Sequence, residues 1–154
     1  MSPPTSASPP GPPGPGVPRV LGEDDYRELA AFRHGLRRYL RWAEERAQEA
    51  GLTPAQHQLM LAIRGRGPAA APTISQLAAE LLLRHHSAVG LVDRAVAAGL
   101  VRRTADPHDL RVVRVALSPE GAERLRFLAS QHVIELGRLG LTLGRMADGL
   151  DIDR

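Results

Sequence analysis

Histidines and arginines carry most of the chemical potential of this chain, and their spacing separates the two. His34, His57, His85, His86, His108 and His132 fall in five segments, with no pair four residues apart and no cysteine anywhere. Zinc needs three or four nitrogen, oxygen or thiolate donors converging on one point, so no metal site is expected. Without cysteine, disulfides and thiol redox chemistry are excluded. Catalysis has as little support: no serine sits in a nucleophile elbow, and Glu44, Glu45 and Glu49 lie as on a solvated helix face. Neither an enzyme nor a cofactor is expected. The arginines are different. Arg84, Arg94, Arg102, Arg103, Arg111 and Arg114 stand against only Asp93, Asp106 and Asp109 in their stretch, while the other fourteen arginines are matched by fourteen acids. The net charge of +3 is therefore one local patch, of the kind that neutralises nucleic-acid phosphates.

The elements that must carry this patch follow from periodicity. At 154 residues and 43% hydrophobic content the chain suits one domain, small enough that a dimer would help it cover apolar helix faces. No apolar run reaches membrane-spanning length and the N-terminus lacks a secretory pattern, so a cytoplasmic protein with no membrane partner is expected. Residues 1–21 hold eight of the thirteen prolines and are expected to form a disordered tail, with the folded domain over residues 22–154.

Apolar residues at three- and four-residue spacing, Leu29, Phe32, Leu36, Tyr39, Leu40, Ala43 and Ala47, predict an amphipathic helix over residues 23–50, with Trp42 giving it a second apolar edge. Thr53-Pro54-Ala55-Gln56 announces the next helix, and Thr73 with Gln76 repeats the capping arrangement. A further helix over residues 85–98 would bury Ala88, Leu91, Val92 and Ala95, completing a helix-turn-helix. Residues 101–104 and 112–117 can pair as a hairpin around Asp106, Pro107, His108 and Asp109. Ser118-Pro119 starts a long helix carrying Leu125, Leu128, Val133, Leu136 and Leu139, and a short last helix is expected over residues 141–150. The fold class expected is mainly α with a small β-hairpin. A winged helix-turn-helix lobe would span residues 53–118, and a helical dimerisation region residues 22–50 and 119–150.

This order resembles the MarR family of bacterial transcription regulators. The matching words are Leu52-Thr53-Pro54-Ala55-Gln56, Ile74-Ser75-Gln76-Leu77-Ala78, Leu91-Val92-Asp93-Arg94, Gly99-Leu100-Val101-Arg102-Arg103, Asp106-Pro107, Asp109, Arg111 and Leu117-Ser118-Pro119-Glu120-Gly121. The resemblance implies a homodimer built by the first and last helices, with two winged lobes on a pseudo-palindromic double-stranded DNA operator. The DNA-binding set would be Arg84, His85, His86, Ser87, Gly90 and Arg94 on the recognition helix, with Arg102, Arg103, Asp109, Arg111 and Arg114 in the wing. Arg111 takes the place of the wing-tip arginine for the minor groove, and Asp109 that of the acid holding it. Arg84 stands where the family usually has a capping serine, and Gly90 where it often has a polar side chain; these departures favour the alternative of a protein-interaction module. The family's habit of binding aromatic carboxylates implies a small aromatic anionic effector near Arg38, Tyr39, Trp42, His57 and Met60. Tyr39, Trp42 and Met60 could equally pack the core or a dimer interface.

Overall fold

Reciprocal capping fixes where two of the helices begin. The computed structural model describes residues 20–67 and 71–149, with residues 141–149 as backbone, so most of the tail expected over residues 1–21 lies outside it. Helix α1 spans Glu23–Glu49 and α2 spans Pro54–Gly65. At the start of α2, Gln56 donates its backbone N–H to Thr53 Oγ1 at 3.2 Å, and Thr53 donates its own to Gln56 Oε1 at 2.9 Å. Thr73 and Gln76 make the same reciprocal box at the start of α3, Ile74–Glu80, at 3.3 and 3.0 Å. Helix α4, His85–Ala97, begins at Arg84 with no side-chain cap.

The turn between α3 and α4 is tight. Leu83 donates to the carbonyl of Ala78 at 2.8 Å, which puts Leu82 at φ +55°. That left-handed conformation costs a leucine roughly 1–2 kcal/mol. The inward face of α4 is the expected one: Ala88, Leu91, Val92 and Ala95 are buried. They meet Leu59, Met60 and Leu77 from α2 and α3 in a core that Leu125 and Leu128 close from the last helix.

Strands β1, Val101–Ala105, and β2, Val113–Leu117, pair antiparallel in the register Val101↔Leu117 to Ala105↔Val113. The segment before α3 adds a short third edge: Val115 donates to Pro72 O at 2.8 Å, and Thr73 bridges to Arg114. Helix α5 runs from Pro119 to Gly149 as one helix. The separate last helix expected over residues 141–150 is therefore not formed where the backbone is described. A glycine such as Gly140 costs a helix about 1 kcal/mol but removes no backbone hydrogen bond, and no proline interrupts the run.

Helices α1 and α5 pack together, but the apolar stripe expected on α1 divides. Ala47 is buried and Tyr39 turns inward, whereas Leu29, Phe32, Leu36 and Leu40 remain 39–48% exposed. On α5, Leu125, Leu128 and His132 face in, while Phe127, Val133, Ile134 and Leu136 are exposed. Among the described residues no helix is long and apolar enough to cross a membrane.

Candidate nucleic-acid interface

The basic segment sorts itself by partner. Each of its three acids pairs with one of its arginines, and each pair has a different task. Asp93 on α4 accepts from Arg103 on β1 at 2.6 Å, bracing the wing against the helix. Asp106, 5% exposed, accepts the backbone N–H groups of His108 at 2.7 Å and Asp109 at 3.0 Å and the guanidinium of Arg114. These backbone and arginine hydrogen bonds hold its carboxyl below the usual carboxylate range. Arg114 also donates to Ala71 O at 2.7 Å, tying β2 to the segment before α3.

Asp109 takes Arg111 side-on: Nε to Oδ1 at 3.1 Å and Nη2 to Oδ2 at 3.2 Å, with the Arg111 backbone N–H also on Oδ1 at 3.1 Å. The guanidinium hydrogen bonds, followed by the backbone one, lower the Asp109 pKa. Arg111 is 91% exposed in its side chain, so three of its five N–H donors still face outward from a fixed plane.

That leaves Arg84, Arg94 and Arg102 without an ion pair among the described residues. Arg84, His85 and His86 are exposed at the start of α4, and Ser87 is half-buried beside them. His85 Nδ1 lies 3.4 Å from Ser75 Oγ of α3, so the two helices share a polar contact at the outer end of the turn. A Cβ placed on Gly90 would come 3.3 Å from Arg94 Nη1: the guanidinium lies back over the bare turn that the glycine provides. Arg102 faces elsewhere, over a recess at the root of the wing that Arg64 shares. The outer end of α4 and the wing tip thus present cations, while the acids of the segment are spent inside it.

A second recess of about 430 Å³ lies between α1 and α5. Arg38, Tyr39 and Trp42 line it together with Arg41, Glu135 and Arg138. Arg41 pairs with Glu45 at 3.1 Å and Arg138 with Glu135 at 3.2 Å, so Arg38 is the charge left over. Tyr39 and Trp42 stack with centroids 6.1 Å apart, and burial, then Glu135, raises the Tyr39 pKa. Met60 does not line this recess. It is fully buried on the inner face of α2 with Leu59 and Ile63, where the helical period places it. His57 is 7% exposed and packs on His132 rather than opening to the cleft. Three of the five residues expected at an effector pocket come together, and two belong to the interior.

The fold agrees with known proteins. Residues 50–111 match the MarR family model. The helix-turn-helix and the turn of the wing thus carry the MarR family's sequence pattern. Among solved structures, the chain is similar to a MarR family protein from Bacillus stearothermophilus, at 21% identity over 85% of this chain and 96% of that one, with a TM-score of 0.67. It is likewise similar to CouR from Rhodococcus jostii bound to p-coumaroyl-CoA, at 25% identity over 82% and 90% of the two chains and a TM-score of 0.63. A third similar structure is an S. aureus MepR mutant bound to an oligodeoxyribonucleotide, at 17% identity over 82% and 98%, with a TM-score of 0.62. No curated protein matches the chain in sequence.

Within this winged lobe, three features escape a reading of the sequence. Asp106 looks like an ordinary turn former but organises the whole wing turn. Arg114, expected at the DNA, is turned inward to Asp106 and Ala71 because its alternation in β2 places it on the face toward the segment before α3. Gly90 looks like a missing contact and instead makes room for Arg94. Only the last had a signal in the sequence, the four-residue spacing from glycine to arginine.

Proposed function

We propose that this protein is a homodimeric, sequence-specific DNA-binding transcription regulator, a repressor that leaves a pseudo-palindromic operator when an effector binds. The observation that carries the reading is the partition of charge in the basic segment. Its acids are consumed in bracing the wing, Arg84 and Arg94 stay without an ion pair on α4, and Arg111, held by Asp109, keeps an exposed guanidinium at the wing tip, while Arg102 lies at the wing root. In this reading α4 enters a major groove, where His86 and Ser87 meet base edges, and Arg111 enters the adjacent minor groove, whose narrowness favours arginine. Arg103, Asp109 and Arg114 position the wing. The exposed apolar residues of α1 and α5 supply the dimer surface, since a closed two-fold dimer covers the same face on both copies. Two lobes must then sit about 34 Å apart to reach successive major grooves, so a ligand that favours another spacing lowers affinity without touching DNA. The recess at Arg38, Tyr39 and Trp42, with one unmatched cation and two stacked rings, suits a small aromatic anion.

The test is a fluorescence titration of wild type, Arg111→Ala and His86→Ala against a duplex selected from a random library and a scrambled duplex, over a salt series. Arg111→Ala should weaken binding to both duplexes and reduce the salt slope by about one charge. His86→Ala should act mainly on the selected duplex, by about 1–3 kcal/mol. The stoichiometry should be two chains per duplex. Arg111→Ala binding as tightly as wild type at every salt concentration would refute the reading.

A further inference from the structure

The DNA reading leaves one buried group of side chains without a task. His57 on α2 and His132 on α5 pack ring against ring with centroids 4.7 Å apart, 7% and 8% exposed. The Trp42 ring lies 4.9 Å from His132 and the Tyr39 ring meets it edge-on at 6.1 Å. The Tyr39 hydroxyl is 3.2 Å from His132 Nδ1, and His132 Nε2 is buried with no hydrogen-bond partner. The titratable groups around the pair are Tyr39 from α1 and Glu135 from α5, whose charge acts on Tyr39; α2 contributes His57 itself. Among the described residues neither imidazole is paired with a carboxylate.

Such a contact is most stable while both rings are neutral. A proton on either creates a buried cation without a counter-ion, and a proton on both sets like charges ring against ring. The pair also sits at a mechanical junction. Helix α2 belongs to the winged lobe, whereas α1 and α5 form the arms whose exposed stripe is read above as the dimer surface.

We propose that the proton is itself an effector of this protein: acidification charges the His57–His132 contact, drives α2 away from α5, and so releases DNA. This rests on the DNA-binding reading above. The sign follows from linkage. Burial lowers the pKa of both histidines below 6.5, and for His57 the neighbouring His132 adds to the shift. The packed arrangement is therefore fully stable above pH 6.5 and loses stability as pH falls through the lowered folded values. The wing acids Asp106 and Asp109 are held below the carboxylate range and stay charged over that window. Protonation of histidines on the DNA face would add cations there and strengthen binding, so a loss of affinity on acidification has the opposite sign to a surface effect.

The experiment measures affinity for the selected duplex between pH 7.5 and 5.5 for wild type, His57→Gln and His132→Gln, beside histidine ring-proton NMR titrations and pH-dependent melts without DNA. Wild type should lose affinity about tenfold, within the ordinary range of a coupling between sites. Both variants should be flat or rise. In the DNA-free protein the His57 and His132 imidazoles should titrate below the ordinary histidine value, and the wild-type Tm should fall more steeply with acid than that of either variant. Binding that is indifferent to pH, or variants that keep the wild-type loss, would overturn this proposal alone. Absence of binding at every pH would overturn the DNA reading instead, and melts of equal steepness would overturn the buried-pair switch without reference to DNA.

Discussion

Gly121→Ala should be the most damaging single-methyl change in this protein. A Cβ at that position would lie 2.0 Å from the Leu100 carbonyl oxygen and 2.8 Å from its carbon, about 1 Å inside the closest approach real side chains show. Neither neighbour can rotate away, because both are backbone. Leu100 is 1% exposed, and its carbonyl accepts the Ser118 N–H at 3.0 Å, while Ser118 Oγ donates to Gly99 O at 2.6 Å. Making room means shifting the first turn of α5 off the root of β1. Overpacking of this kind costs about 1–3 kcal/mol, and losing the Ser118 hydrogen bond adds about 1 kcal/mol. The better helix propensity of alanine returns up to about 1 kcal/mol. The net loss is about 1–3 kcal/mol, or roughly 3–9 °C in Tm for a chain of this size. Thermal unfolding followed by circular dichroism measures it, with Gly65→Ala as the control. Gly65 has nothing within 4 Å of an added Cβ, so the same change there should be neutral or mildly stabilising. A Gly121→Ala protein that melts at or above the wild-type temperature would refute the packing argument.

Asp106→Asn should free Arg114 and loosen the wing turn. Because the Asp106 pKa is lowered in the fold, the advantage of wild type over the variant should be complete above the usual carboxylate pKa and vanish as pH falls through the lowered value, which an acid-unfolding series reads directly. Met60→Ala should cost about 2–5 kcal/mol in chemical denaturation, the range of a buried large-to-small change. It should leave any aromatic-anion affinity of the folded protein unchanged, since Met60 lies in the core rather than at the recess.

The sequence by itself determined the order of elements and most of their boundaries, because those depend on local chemistry. Thr53 with Gln56 and Thr73 with Gln76 satisfy backbone donors within four residues, and the period of Ala88, Leu91, Val92 and Ala95 names the inward face of α4 before any partner is known. The Asp109–Arg111 pair, two residues apart, is equally local. What lies between distant segments was not legible. That Asp93 meets Arg103 and that Arg114 reaches Ala71 depends on how the wing folds back over α3 and α4. That Met60 and His57 turn inward while Arg38, Tyr39 and Trp42 share a cleft depends on how α1, α2 and α5 cross. An amphipathic stripe states which residues avoid water; only packing decides which of them the chain covers itself. On α1 that decision buries Ala47 and leaves Leu29, Phe32, Leu36 and Leu40 exposed.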